Sequence, residues 1–159
     1  MLNLIRKPIE QELVHYKQLF DETLTHKDPF MSQALSYIQG RSGKMMRPIL
    51  TLLVAKEFGG VEAPSQSAAI SLELLHTASL VHDDVVDEAG ERRGQASVND
   101  TYGNKIAVLL GDYLLSLSLS QAAKTNSIDA VRIISNLGGT LSEGEIFQLD
   151  NINKDELSE

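Results

Sequence analysis

Apolar residues recur along most of this chain at the three- and four-residue steps of an α-helix. The first such series, within residues 8–24, comprises Ile9, Leu13, Tyr16, Phe20 and Leu24. Pro8 suits the first turn of that helix, where a missing N–H costs nothing. No alternating apolar run is flanked by hairpin dipeptides, so the pattern predicts no strand. It favours an all-α protein.

The pattern predicts about six helices, which we expect to pack as an antiparallel bundle. The expected ranges are 8–24, 29–40, 48–58, 64 or 65 to 88 or 89, 104–124 and 128–149. Gly40 is a plausible C′ residue of the second helix. A polar loop is expected over residues 90–103, and no internal repeat is present.

The fourth predicted helix carries the most chemistry. Residues 68–81 are apolar on most sides, which is typical of a helix in the middle of a bundle. The helix continues into Asp83, Asp84 and Asp87. Asp83 and Asp87 are one turn apart on one face, where like charges destabilise a helix unless they are compensated. They are either a solvated helix end or the carboxylates of a magnesium site, since Mg²⁺ combines one or two carboxylates with substrate phosphates.

Two histidines accompany these carboxylates. His76 precedes Asp83 by seven residues and therefore lies on nearly the same face of the helix. A single histidine on an apolar helix is more often a hydrogen-bonded core residue, but its alignment with the acids favours a functional role. His82 points about 100° away from Asp83, and we expect a structural role for it.

Basic residues occur in two places near the acids. Arg92 and Arg93 follow the fourth helix, while Lys44 and Arg47 precede the third. Arginine suits bidentate phosphate contacts, and lysine acts as a compact charge. Each residue alone is more often a surface charge. Two basic clusters with one acidic cluster indicate two anionic groups with a metal between them.

Composition limits the possible classes of protein. The chain has 159 residues, a formal net charge of −8 and no cysteine, which excludes disulfides, thiolate metal sites and a cysteine nucleophile. The acidic balance argues against non-specific binding of nucleic acid. We expect one domain, no signal peptide at the N-terminus and no segment as apolar as the roughly 20 residues that span a bilayer. Residues 143–159 carry six acids and one base.

These motifs resemble, in order and spacing, those of the trans-prenyltransferases, or polyprenyl diphosphate synthases. The matching segments are Gly43-Lys44-x-x-Arg47-Pro48, Glu73-Leu74-Leu75-His76-Thr77, Asp83-Asp84-x-x-Asp87 and Arg92-Arg93-Gly94. Residues 111–113 and 144–149 are similar to later segments of the family. The likeness is greatest to octaprenyl- and heptaprenyl-type bacterial enzymes, and it implies the isoprenoid synthase type of helix bundle.

The resemblance implies a reaction and a set of ligands. Asp83 and Asp87, with Asp84 in support, would hold Mg²⁺ against the diphosphate of an allylic primer, which Arg92 would also contact. The residues implied for isopentenyl diphosphate are Lys44, Arg47, His76 and Arg93, and Gln148 is a possible pocket residue. The diphosphate would leave the primer, and the isopentenyl double bond would attack the allylic cation. A cytoplasmic homodimer is also implied.

Small residues precede the first aspartate of the motif. In this family large aromatic residues just before that aspartate keep products short, so Ala78 and Ser79 imply room for a longer chain. The alternative is that both residues are small only to let two helices pack closely.

The main departure from the family is length. Its members are longer and carry a second aspartate-rich motif, so we expect residues 1–159 to be the N-terminal part of a synthase. Residues 150–159 would be a polar connection to a C-terminal half, and the isolated chain would be inactive or weak. One alternative is an incomplete fragment or partner subunit that binds magnesium diphosphate and dimerises. An HD-type phosphohydrolase, suggested by His82-Asp83, lacks further ligands, since His15 and His26 lie in an unrelated region.

Overall fold

The computed structural model describes residues 2–40, 43–92 and 94–156, and confirms the predicted all-α class. The helices are α1 (Leu2–Arg6), α2 (Glu10–Thr23), α3 (Pro29–Gln39), α4 (Met46–Glu57), α5 (Ala63–Val86), α6 (Val98–Tyr102), α7 (Asn104–Lys124) and α8 (Ile128–Glu156). A 3₁₀ turn (Lys7–Ile9) joins α1 to α2. Strands β1 (Glu91–Arg92) and β2 (Gln95–Ala96) form an antiparallel pair.

The structure corrects the sequence prediction in four places. Helix α1 precedes the first predicted helix, and a 3₁₀ turn occupies the predicted start of that helix. The expected loop 90–103 contains the β1–β2 hairpin and helix α6, so the prediction of no strand is wrong there. Helix α8 continues past Leu149 to Glu156, through much of the expected polar connection. Elements of two to five residues are too short to show a period, and a polar helix end has no apolar face to detect.

Helix α5 lies at the centre of the bundle, with α2, α4, α7 and α8 packed around it. Pro64 occupies its first turn, and buried side chains occur on several of its faces. The core combines Ile70 and Leu74 of α5 with residues of the surrounding helices, among them Tyr16, Phe20, Leu35, Ile49, Leu52, Leu110 and Leu114. This central position fixes the direction in which the C-terminal end of α5 presents its carboxylates.

Helices α5 and α7 are joined by small residues that allow close approach. The hydroxyl of Ser71 donates to Ser118 O at 2.8 Å, and the Ser118 hydroxyl donates to Ser71 O at 2.7 Å; both residues are fully buried. Nearer the carboxylates, the imidazole of His82 packs directly on Gly111, where an added Cβ would lie 2.2 Å from Nε2. A side chain at that point of α7 would require the His82 ring to move.

Helix α7 meets the length and hydropathy expected of a membrane span, contrary to the expectation from sequence. Buried core helices meet the same test, and α7 packs along α5 with Ala107, Leu110 and Leu114 buried between them. Its apolar character thus has an explanation within the bundle.

Substitution of Gly111 tests the α5–α7 contact. We expect Gly111→Ala to lower the free energy of unfolding by about 2 kcal/mol, because the new methyl group overlaps the His82 ring. Urea denaturation followed by far-UV circular dichroism measures the change.

Gly139 provides the matched control, since a Cβ added there meets no atom within 4 Å. Gly139→Ala should leave stability unchanged or raise it by up to about 1 kcal/mol through helix propensity. The double variant Gly111→Ala/His82→Ala should recover part of the loss. Equal stability of the two single glycine variants would contradict the packing argument.

Candidate active site

A cavity of about 660 Å³ lies between α5, the elements that precede it and the hairpin and α6 that follow it, a volume typical of a small-molecule site. Its apolar wall consists of Phe20, Leu24, Ile38, Leu80, Val81 and Val98. Its polar lining includes Lys44, Arg47, Glu73, His76, Asp84 and Arg92. The cavity thus combines cations suited to phosphate groups with an apolar wall suited to a hydrocarbon.

The start of α4 carries two of the cations: Lys44 in the turn before the helix and Arg47 in its first turn. Lys44 and Arg47 are exposed at the N-terminal end of this helix, where the unpaired N–H groups and the helix dipole also favour an anion. Met45, between them, adopts the left-handed conformation with φ 53°. That conformation is unfavourable for a residue with a side chain, as is often found beside binding sites.

The acidic motif lies where α5 ends. Asp87 is the C-cap residue, and its N–H donates to Asp83 O at 2.8 Å, so the two carboxylates stay one turn apart, as predicted. Neither residue is among the described residues that line the cavity. Asp83 follows His76 by seven residues and so lies close to the face of α5 that lines it. Asp84, by contrast, belongs to the cavity wall.

Asp84 and Arg92 form an ion pair that the sequence did not predict. Arg92 Nε donates to Asp84 Oδ1 at 2.6 Å, and Asp84 is only 2% exposed. A chain reversal makes this contact possible: Glu88 adopts φ 51° after the helix, and Ala89 N–H donates to Asp84 O at 2.9 Å. The hairpin then returns towards α5 and places Arg92 beside Asp84.

Asp83 is surrounded by negative charge. Burial raises the pKa of its carboxyl above the ordinary value, and Glu145 on α8 is the next largest cause in the same direction. Arg92 opposes the rise in pKa, while Asp87 and Asp84 add to it. A cation bound here would relieve the repulsion between these carboxylates.

The donors fit Mg²⁺ held jointly with a phosphate better than a metal held by protein alone. Among the side chains described, in residues 4–40, 43–92 and 94–152, no three of His, Cys, Asp or Glu are grouped as a complete metal site. Mg²⁺ usually takes one or two carboxylates and completes its shell with phosphate and water oxygens. Asp83 and Asp87 can supply those carboxylates, whereas Asp84 is bound to Arg92.

His76 lies half-buried in the cavity wall, in the same cavity as Lys44 and Arg47. Glu73, one turn earlier, is a buried carboxylate of the same wall. Its charge acts on Tyr16, whose pKa is raised first by burial and then by Glu73 and Asp21. Helix α5 therefore presents an imidazole, that of His76, and a carboxylate, that of Glu73, to the cavity.

The remaining predicted residues lie away from the cavity or outside the described part. His82 has the expected structural contacts, with Nε2 at 3.1 Å from Val108 O and 3.3 Å from Asp112 Oδ1. Ala78 is buried on the row of α5 that includes Ser71 and His82 and faces α7. Ser79 is half-buried, with its hydroxyl bound to His76 O, and Gln148 is exposed on α8. Arg93 falls outside the described residues.

Sequence reasoning assigned no role to Glu73 or Glu145. Both lie in segments that resemble the family, Glu73 in residues 73–77 and Glu145 in residues 144–149. The electrostatic effect of Glu145 on Asp83 becomes visible only because α8 packs beside the end of α5. Gln95 of β2 also lines the cavity without having been predicted.

Comparison with known proteins gives consistent matches. A family model described as Polyprenyl synthetase matches residues 28–159. The octaprenyl diphosphate synthase of Haemophilus influenzae is 36% identical over 155 residues, which cover 98% of this chain and 47% of that protein. The chain spans about half the length of the relatives it matches.

Solved structures share the architecture. A decaprenyl diphosphate synthase from Rhodobacter capsulatus superposes with a TM-score of 0.88 at 30% identity, over 94% of this chain and 46% of that one. A polyprenyl synthase from Caulobacter crescentus CB15, crystallised with calcium and isoprenyl diphosphate, superposes with a TM-score of 0.87 at 28% identity. The match covers 94% of this chain and 45% of that one. The predicted isoprenoid synthase type of bundle is confirmed.

The Asp84–Arg92 pair can be tested by stability. We expect Arg92→Ala to lower the free energy of unfolding by about 2 kcal/mol, because it leaves a buried carboxylate without its counter-ion. Arg132→Ala removes an arginine from the exposed pair with Asp129 and should change stability by less than about 0.5 kcal/mol. Equal losses in urea denaturation would contradict the importance of burial.

The effect of Glu145 on Asp83 can be tested by titration. A carboxyl with a raised pKa binds its proton more tightly in the folded chain, so charged Asp83 lowers stability at neutral pH. This loss shrinks as the pH falls through the raised pKa and is gone below the ordinary pKa of the unfolded chain. Glu145→Gln should therefore lower the pKa of Asp83 and raise stability at neutral pH. Carbon-detected NMR of the Asp83 carboxyl measures the pKa.

Glu143→Gln is the control, because Glu143 is exposed on the same helix and this substitution removes the same charge as Glu145→Gln. An Asp83 pKa that moves equally in both variants would show a general charge effect instead of a local one.

Proposed function

The chain belongs to the polyprenyl synthetase family, and on this basis we propose that it forms the first half of the active site of a magnesium-dependent trans-prenyltransferase. The reaction would condense isopentenyl diphosphate with an allylic prenyl diphosphate to give a longer polyprenyl diphosphate. The observation that carries the proposal is the cavity that Lys44, Arg47 and His76 line together with an apolar wall, at the end of α5 that leads into Asp83 and Asp87.

The cavity is the proposed site of isopentenyl diphosphate. Lys44 and Arg47 would bind its diphosphate at the start of α4, with His76 opposite, and Arg93 is proposed as a further ligand from the family motif. The apolar side chains of α2, α3 and α5 would then contact the five-carbon group. Arginine offers a planar fork to phosphate oxygens and lysine a compact charge, and the N–H groups at the start of α4 would favour the same anion.

The allylic diphosphate is proposed to bind at the end of α5. Asp83 and Asp87 would hold Mg²⁺, which would neutralise the charge of the leaving diphosphate. Arg92 would contact the same diphosphate while its Nε remains bound to Asp84, so Asp84 supports the site by orienting Arg92. The complex of the Caulobacter crescentus neighbour with calcium and isoprenyl diphosphate supports this class of ligand.

Bond changes in the proposed reaction need no covalent enzyme intermediate. The allylic C–O bond breaks, and its electron pair leaves with the diphosphate. The isopentenyl double bond then forms the new C–C bond to the allylic cation, and loss of a proton restores a double bond. The protein's part is to hold two diphosphates and exclude water, which is what the charged rim and apolar wall of the cavity suit.

We also propose that the 159-residue chain is incomplete as a catalyst. It spans about half the length of its relatives, and large apolar side chains of α8 are exposed, among them Ile133, Leu141, Ile146, Phe147 and Leu149. Exposed apolar faces of this kind are typical of surfaces that contact further protein. The alternative function, a partner subunit that binds magnesium diphosphate and dimerises, rests on the same exposed faces. The proposed assembly is a homodimer located in the cytoplasm.

Product length is proposed to be long, as in the octaprenyl-type relatives. Ser79, one turn before Asp83, is half-buried and small, so it leaves space beside the proposed metal site. The burial of Ala78 on the α7-facing row suits close helix packing as well as product length.

Binding of isopentenyl diphosphate tests the proposed function directly. We expect calorimetry to detect binding to the isolated chain. Lys44→Ala and Arg47→Ala should each weaken the affinity by about tenfold or more, because each removes a charge-assisted hydrogen bond. Lys124→Ala is the matched control, since this exposed lysine lies at the far end of α7.

The same samples test catalytic completeness. Incubation with Mg²⁺, labelled isopentenyl diphosphate and an allylic primer should give little or no product. Efficient turnover would contradict incompleteness, whereas failure to bind, or equal weakening by Lys124→Ala, would contradict the proposed site.

A further inference from the structure

We propose that Arg6 is a positioning residue for the diphosphate site, because it holds the turn that carries Lys44. This inference rests on the proposed function, since it concerns the same site. The contact joins residues 38 positions apart: Arg6 Nη2 donates to Lys44 O at 2.9 Å. A hydrogen bond from a charged donor is stronger than one between neutral groups.

Arg6 is well placed to act as a fixed support. It ends α1 and is followed by the 3₁₀ turn, whose Ile9 is fully buried in the core. Lys56, near the other end of α4, donates to Pro8 O and pairs with Glu12 Oε1 at 2.7 Å. Residues 6–9 are therefore tied to both ends of α4.

The turn before α4 requires such support. Met45 adopts the left-handed conformation, and the helix has no side-chain cap at its N-terminus. Nothing in the local sequence favours this conformation, since Met45 is not glycine or asparagine. The Lys44 carbonyl belongs to the peptide group immediately before Met45. The hydrogen bond from Arg6 restrains this peptide group, which could otherwise rotate to relieve the unfavourable conformation of Met45.

Arg6 acts through Lys44 in this arrangement, not on the ligand itself. It is not among the described residues that line the cavity. Its Nε is buried without a hydrogen-bond partner. Among the described residues, the side chain of Arg6 therefore makes one hydrogen bond, the one to Lys44 O. Loss of Arg6 would therefore free the turn and lower the population in which Lys44 faces the cavity.

A double-mutant cycle tests this role. We expect Arg6→Ala to weaken binding of isopentenyl diphosphate, measured by calorimetry, by about two- to tenfold, the range for one hydrogen bond. The effect should largely disappear when Lys44→Ala is already present, because Arg6 then has no ammonium group to position. Arg6→Lys, which keeps a donor, should recover part of the affinity.

Lys7→Ala is the matched control, since it removes the same charge from the next, exposed residue. Amide NMR shifts of Lys44 and Met45 should change in Arg6→Ala and stay unchanged in Lys7→Ala, which shows that any loss of affinity comes from the turn and not from general unfolding.

The outcomes separate the two proposals. If the unchanged chain binds no isopentenyl diphosphate, the proposed function fails, and this inference fails with it. If the chain binds but Arg6→Ala has no effect, matches Lys7→Ala, or adds fully to Lys44→Ala, the positioning role alone is overturned.

Discussion

The close packing of α5 against α7 is the constraint on which the rest of the structure depends. Two buried serines exchange hydrogen bonds at one end of the contact, and His82 lies against Gly111 at the other. Because α5 is central, this contact fixes both the rotation and the height of the helix. The same helix carries Glu73 and His76 into the cavity and ends in Asp83, Asp84 and Asp87. The position of the site therefore follows from the packing of small residues between α5 and α7, one contact of which, His82 on Gly111, directly precedes Asp83.

Much of the fold was accessible from the sequence because long helices have a period. The limits of α7 match the predicted 104–124, and α3 begins after Asp28 as expected, where the Asp28 side chain caps Met31 N–H. The hairpin and α6 were missed because their pairing depends on tertiary contacts. Tyr37 of α3 donates to Ala96 O at 2.7 Å, a contact between residues 59 positions apart that no local pattern predicts.

The features of the candidate site likewise divide into those set by local spacing and those set by contacts between distant elements. Spacing placed Asp83 and Asp87 one turn apart on α5, where the structure has them. The structure adds that Lys44, Arg47 and Arg92 line one cavity, whereas their role as diphosphate ligands stays a prediction. Sequence could not show that Asp84 is taken up by Arg92, because that pair depends on the chain reversal at Glu88. Nor could it show that Glu145 acts on Asp83, or that α1 supports the Lys44 turn. These contacts join separate elements and are set by packing.

The negative charge gathered around Asp83 would couple folding to the binding of a cation there. Glu145, Asp87 and Asp84 all disfavour the charged form of Asp83, so folding brings like charges together at neutral pH. Any divalent cation that binds the folded chain there, alone or with a diphosphate, shifts the folding equilibrium towards the native state by mass action. The resistance of this chain to proteolysis would then rise and fall with the concentration of its ligands, so that the amount of protein retained in a cell depends on how well the site is supplied.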